Sequence, residues 1–147
     1  MKSVTIQADN FDKARRAIRE NKGKIIIFSS NDDELNKKIL EKEKINVLLL
    51  NLSSRKDRMK QRDSGFNHVL AKLAKKKNIS LGINLDEIIN SESKGKSQIL
   101  ARVRQNIKLC NKNKLKIKFI SDEKRDGYNL KSLGLILGMP TWMTKNL

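Results

Sequence analysis

The sequence predicts an α/β fold built on a parallel sheet, and three observations lead there. Strand-like and helix-like patterns alternate along all 147 residues, an order that calls for parallel strands joined by right-handed helical crossovers. One strand candidate, 24–30, is a continuous apolar run, the pattern of a strand covered on both faces. No internal repeat and no linker interrupts the series, so residues 1–147 are expected to form one β/α domain. From pattern alone, five strands fit an open doubly wound sheet at least as well as a barrel, since a complete eight-fold barrel takes about 250 residues. In both arrangements ligands meet the loops beyond the carboxyl ends of the strands.

Val4 to Ala8 is the first strand candidate, and after Asp9-Asn10 the residues Phe11, Ala14, Ala17 and Ile18 recur at helical spacing until Gly23. The second strand, 24–30, leads to Asn31-Asp32-Asp33-Glu34, an N-cap with acids in the first turn where they complement the helix dipole; Leu35, Ile39 and Leu40 mark the buried face. The third strand, Ile45 to Leu50, runs into a basic loop, Ser53 to Arg62, longer than a strand-to-helix turn needs. The next helix is expected to be capped by Asp63 or Ser64, with Phe66, Val69, Leu70, Leu73 and Ala74 as its apolar stripe and His68, Lys72, Lys75 and Lys76 opposite.

Ile79 to Leu85 reads as the fourth strand and Asp86 to Ile89 as a helical piece broken near Ser91 to Gly95. Beyond the break, Ile99, Leu100, Val103, Ile107 and Cys110 line one face of a helix whose complement carries Arg102, Arg104, Lys108 and Lys112. Leu115 to Ile120 is the last clear strand; Lys116 and Lys118 interrupt it, so either their stems snorkel or the strand lies nearer an edge. A final helix is expected to be capped by Asn129, with Leu130, Leu133, Ile136 and Leu137 inward and Gly138 and Pro140 as its stop.

Charge is the strongest global signal. Lys and Arg number 33 against 16 Asp and Glu, a net charge of +17, and such a field attracts polyanions. Aromatic residues are only 4% of the chain, which argues against a base-stacking platform for single strands. The cations that a β/α fold could present together are Arg55, Lys56, Arg58, Lys60 and Arg62 on the loop and Lys72, Lys75 and Lys76 on the helix after it, with His68 beside them. They suit phosphate contacts to a folded RNA, read by shape and backbone. Asp63-Ser64-Gly65 is expected to shape the loop-to-helix turn that aims the arginines.

Catalytic chemistry finds little support in the residues. His68 is the only histidine, so a multi-histidine metal centre is excluded, and the acids at strand ends, Asp9, Asp32, Asp33, Asp86, Asp122 and Glu123, read better as caps and first-turn acids than as magnesium ligands. Neither a Gly-rich dinucleotide motif nor a lysine-ended phosphate loop occurs. Cys110 is alone, which excludes an intrachain disulfide, and it reads as a small core residue. With no apolar leader and no run long enough to span a bilayer, a cytoplasmic protein with no membrane partner is expected.

At residues 62–72, Arg-Asp-Ser-Gly-Phe-Asn-His-Val-Leu-Ala-Lys, followed by Asn78-Ile79-Ser80-Leu81-Gly82-Ile83, the chain resembles ribonuclease P protein component 3, the archaeal counterpart of the thirty-kilodalton subunit of eukaryotic ribonucleases P and MRP. A second match, Phe119-Ile120-Ser121, a charged loop, then Leu130 to Met139, looks like the family's late strand and following helix; the resemblance covers roughly 24–139. It implies a TIM-barrel-like fold, related to metal-dependent phosphoesterase barrels without their known activity. It also implies that cleavage of precursor tRNA is done by the RNA subunit, with magnesium at the RNA active site and none held by the protein. The implied partners are ribonuclease P RNA, a small ferredoxin-like subunit and other ribonuclease P proteins, with precursor tRNA contacted indirectly.

The family barrel has further strands before Val4 to Ala8 and continues past the last helix, and here the loop after Ser121 is shorter and lacks a second serine. The expectation is therefore a reduced, open or incompletely closed barrel whose exposed edges are covered either by Trp142 and Met143 or by a partner protein or RNA. Two rival functions are a divergent metal-dependent phosphoesterase and an RNA-binding scaffold of another ribonucleoprotein.

Overall fold

The structure is a computed structural model that describes residues 2–57 and 59–147. Five strands, β1 (Ser3–Gln7), β2 (Ile25–Ser29), β3 (Val47–Leu50), β4 (Ser80–Asn84) and β5 (Ile117–Ile120), form one sheet. The strands are all parallel and lie in the order β1-β2-β3-β4-β5, so spatial order follows chain order. This corrects the doubly wound alternative, because a doubly wound sheet reverses its strand order part-way and places helices on both faces. Right-handed crossovers that always step in one direction put every helix on one side, as in a segment of a barrel. The sheet is not closed: β1 and β5 are its edges.

The helices are α1 (Phe11–Glu20), α2 (Asp33–Lys42), α3 (His68–Lys76), α4 (Leu85–Asn90), α5 (Ser93–Lys112), α6 (Gly127–Ile136) and α7 (Thr141–Thr144). One face of the strands, including Ile26, Phe28, Leu48, Leu50, Leu81 and Ile117, shares a core with Ala14 and Ile18 of α1, Leu35 and Ile39 of α2, Leu70 and Ala71 of α3, and Val103 and Ile107 of α5. Each fully buried Ile or Leu there contributes about 1.5–3 kcal/mol. The other face carries a small separate cluster, Ile27, Val47 and Leu49 with Ile120 against them. These side chains lean over Gly82, where a Cβ would stand 2.8 Å from Val47 Cγ1. The aliphatic strand runs therefore divide by parity, alternate residues going to the helix layer and to this second cluster.

Three helices return to the next element through one device. Asn78 (φ 57), Lys114 (φ 56) and Gly138 (φ 103) follow α3, α5 and α6 in the left-handed conformation. The next amide donates five residues back, Ile79 to Ala74 O (2.8 Å), Leu115 to Cys110 O (2.8 Å) and Met139 to Gly134 O (2.9 Å), and each of these apolar residues is buried. This pairing satisfies the last carbonyls and turns the chain back under its helix.

Two capping expectations are corrected. Asn67, not Asp63 or Ser64, caps α3, accepting from Leu70 N at 2.9 Å, because Asp63 and Ser64 are engaged inside the preceding loop. Val69 consequently rotates outward, with 66% of its surface exposed. At α6 the cap is Asp126, accepting from Tyr128 N at 2.9 Å, rather than Asn129, and Ile136 is exposed. Met143 is buried in the helix-covered core and Trp142 Nε1 donates to Asn111 near the end of α5 (3.1 Å), so α7 is tied to the helix layer. No helix among the described residues is long and apolar enough to cross a membrane.

Candidate nucleic-acid interface

Among its described residues the long connection from β3 to α3, Asn51 to Asn67, forms no strand or helix of its own beyond one bridge residue, and residues from three other elements hold it. Arg102, on α5, reaches across with Nη1 on Leu52 O (2.8 Å) and Nη2 on Arg55 O (2.7 Å) and Asp57 Oδ1 (3.2 Å). One turn along the same helix, Gln105 Nε2 donates to Arg62 O (3.2 Å) and Asn106 Nδ2 to Ser64 O (3.4 Å). From α4, Glu87 Oε1 accepts from Leu52 N at 2.7 Å. Backbone carbonyls that a loop would ordinarily leave to water thus find fixed side-chain donors.

Arg102 was expected on the outer face of α5, and the structure corrects this: only 2% of its surface is exposed. The buried stripe is Ile99, Arg102, Val103, Asn106, Ile107 and Cys110, which is one helical face at i, i+3, i+4, i+7, i+8 and i+11. Arg102 and Asn106 sit at core spacing with polar ends that only the loop can satisfy. That coincidence of periodicity and polarity was the available signal.

Arg55 is likewise an inward residue, which corrects its placement among the presented cations. Its guanidinium forms a two-pronged pair with Asp33 on α2, Nη1 to Oδ2 at 3.0 Å and Nη2 to Oδ1 at 3.1 Å, while Nε donates to Asn51 O at 2.8 Å. Asp63 approaches Nη1 at 3.5 Å. The side chain is only 10% exposed, and a planar fork of this kind holds position as well as charge. Gly65 (φ +72) lies directly against it, and a Cβ there would stand 2.6 Å from Arg55 Nη2. The turn 63–65 is closed by Asp63 Oδ1 accepting from Gly65 N (3.0 Å), with Ser64 buried behind it.

With the two arginines turned in, other cations remain outside. Lys56, Lys60, Arg62, Lys72, Lys75 and Lys76 are all exposed, and none forms an ion pair with the described residues. Arg58 lies outside the described residues. His68, Lys72, Lys75 and Lys76 follow at i, i+4, i+7 and i+8 on α3, one stripe about 12 Å long. His68 begins it, exposed, with Nδ1 3.5 Å from Asn113 Nδ2. Arg62 lines a separate cleft of about 370 Å³ with Lys37, Asn67, Val69 and Gln105.

Several of the strand-end acids have other partners. Asp32 caps α2, accepting from Glu34 N (3.0 Å), and Asp33 holds Arg55. Asp86 accepts from Ser121 Oγ (2.7 Å) and Asp122 N (2.9 Å), with Arg125 at 3.8 Å; these bonds, the serine's first, hold its carboxyl below the ordinary value. Asp57 is lowered too, chiefly by the Asp63 N–H. Glu87 goes the other way because burial raises it. Among the described residues no group of three or more His, Cys, Asp or Glu is placed to hold a metal ion. Burial pushes the Cys110 thiol up to about 12, which keeps it un-ionised.

The family model for RNase P subunit p30 matches residues 1–144, extending the likeness read over 24–139 to nearly the whole chain. Ribonuclease P protein component 3 of Methanococcus maripaludis strain C7 is 25% identical over 146 residues, covering 98% of this chain and 60% of the relative. The protein of the same name from Methanothermobacter thermautotrophicus is 29% identical over 113 residues, 76% of this chain and 44% of that one. A chain in a cryo-EM structure of archaeal ribonuclease P with mature tRNA superposes with a TM-score of 0.79 at 22% identity, over 97% of this chain and 62% of that chain. The chain thus spans about 60% of the length of the first of these relatives, and with the family model matched from 1 to 144 it belongs to the RNase P subunit p30 family.

Proposed function

We propose that the chain is a protein subunit of ribonuclease P that binds and supports the catalytic RNA, the RNA itself removing the 5′ leader from precursor tRNA. The observation that carries this, beside the family, is the division of labour in the basic loop. Arg55 and Arg102 hold its backbone from inside, and this leaves Lys56, Lys60, Arg62 and the Lys72, Lys75 and Lys76 stripe as uncommitted cations on a pre-ordered surface. Ordering a loop before it binds lowers the entropic cost of association. Magnesium belongs to the RNA in this reading, and the protein's neighbours are ribonuclease P RNA, a small ferredoxin-like subunit and the other ribonuclease P proteins, with precursor tRNA contacted through them. His68, at the head of the stripe, sits within reach of a phosphate.

Reconstitution tests it. Adding the subunit to the cognate RNA and partner proteins raises precursor-tRNA cleavage at limiting magnesium, and unchanged cleavage would sink the proposal. RNA affinity falls steeply with salt, by about 10³–10⁵ between 50 and 200 mM if 6–10 phosphates are contacted. Changing Lys72, Lys75 and Lys76 together to Gln lowers the salt slope by about 3.

A further inference from the structure

A row of carboxamides crosses the carboxyl ends of three adjacent strands. Asn84, the last residue of β4, caps α4 by accepting from Glu87 N at 3.1 Å. An acceptor there is the carbonyl oxygen, so the other arm of the carboxamide is the NH₂ group. It donates to Asn51 Oδ1 (3.3 Å), and Asn51 Nδ2 in turn donates to Asn31 Oδ1 (3.3 Å). One helix cap therefore sets the orientation of all three groups. Each oxygen accepts along the row, and the row ends on the Asn31 NH₂, a donor with no partner among the described residues.

Beside it is a cleft of about 460 Å³ lined by Asn31, Asn51, Ser53, Ser54 and Arg55. None of these is an acid, and Asp33, which pairs with Arg55, and Glu87, which takes the Leu52 amide, have their carboxylates engaged elsewhere. Ser54 holds φ 58, a left-handed conformation that costs a serine about 1–3 kcal/mol and that a surrounding structure must maintain. Asn51, whose carbonyl Arg55 Nε fixes at 2.8 Å, cannot swing away from the row.

A cleft lined chiefly by donors, at the carboxyl end of a parallel sheet in a chain of charge +17, selects a ligand made of acceptors. Base edges mix donors and acceptors, whereas phosphate oxygens only accept. We infer that this cleft binds a phosphate oxyanion of an RNA strand, with the Asn31 and Asn51 amides and the Ser53 and Ser54 hydroxyls as donors. The strand as its source rests on the RNA-binding reading above; the oxyanion site rests on the geometry alone.

Side-chain amide NMR of the full chain tests this in the absence of ribonuclease P RNA. Inorganic phosphate added at constant ionic strength shifts the Asn31 and Asn51 carboxamide signals saturably, whereas chloride does not, and a short unstructured oligoribonucleotide competes with the phosphate. Asn31→Asp, at an exposed position where the fold survives, weakens phosphate binding at least tenfold, and Asn31→Ala weakens it less. Carboxamide signals unmoved by phosphate, or equal binding by Asn31→Asp, would overturn the site. Phosphate binding that the oligoribonucleotide leaves untouched overturns the strand as its source. A chain that fails in reconstitution yet shows these shifts loses only the ribonuclease P reading.

Discussion

The connections that leave β2 and β3 start side by side on the same rim of the sheet and are built in opposite ways. Ser30 to Asp32 turns directly into α2, and the side chain that secures the turn, Asp32, lies within it. Asn51 to Asn67 wanders before α3 begins, and what secures it comes from far along the chain: Asp33, Glu87, Arg102, Gln105 and Asn106. A short turn satisfies its own amides. A long loop has more backbone groups than its own side chains can reach, so distant elements must supply partners if it is to hold one shape. The long connection is also the one that carries the basic residues, and holding it from behind spares its lysines for a ligand.

Arg102→Met should separate the two connections most strongly. It removes the donor shared by Leu52 O, Arg55 O and Asp57, and leaving the two carbonyls without a partner costs about 1–3 kcal/mol each, measured from the urea midpoint. Arg102→Lys should rescue little, since a point charge cannot span the same acceptors as a guanidinium fork. A midpoint near that of the parent chain would mean that the loop holds itself and the contrast fails.

Asp32→Ala should cost less, about 1 kcal/mol for a lost helix cap, and should leave RNA affinity within twofold, because Asp32 makes none of the proposed contacts and Asn31 keeps its bond to Asn51. A large loss of RNA affinity in this variant would show that the two connections act together.

The smallest effect should be seen with Glu87→Gln, in the pH profile of Tm. Burial raises the Glu87 carboxyl above its ordinary value of 4.5, against the opposing pull of the Leu52 and Ser53 amides. A raised carboxyl binds its proton more tightly folded than unfolded, so it makes stability decline as pH rises from about 4.5 through the raised value and adds no slope above it. Asp57 and Asp86, both lowered from 3.8, act oppositely, their stabilisation being present above that value and lost as pH falls through the lowered ones. Glu87→Gln should abolish the first slope and keep the second; an unchanged profile would mean that burial does not raise the Glu87 carboxyl in the folded chain.

Much of the fold was legible because its determinants are local. The cap within Asn31 to Glu34, the apolar stripes of α1 and α2 and the aliphatic strand runs are each contained within a few residues, where spacing reports the face. The errors at α3 and α6 have one cause. Several cap-forming residues stood in a row at each site, Asp63, Ser64 and Asn67 before α3 and Asp126 and Asn129 before α6, and spacing alone does not rank them. Asp63 Oδ1 accepts from the Gly65 amide and Ser64 Oγ donates to Phe66 O, so both side chains are engaged within the loop.

The sequence by itself determined a parallel β/α series, a strongly cationic chain and an unusual basic loop before α3, because periodicity, net charge and loop length are properties of composition and spacing. Only the tertiary structure decided that the sheet winds one way without closing, that Arg55 and Arg102 point in while the lysines point out, and that Asn31, Asn51 and Asn84 meet in a row. A cation's task depends on whether a carbonyl or carboxylate from another element lies within about 3 Å of it. That distance is set by packing, so in this chain identical residue types divide between holding the surface and being the surface.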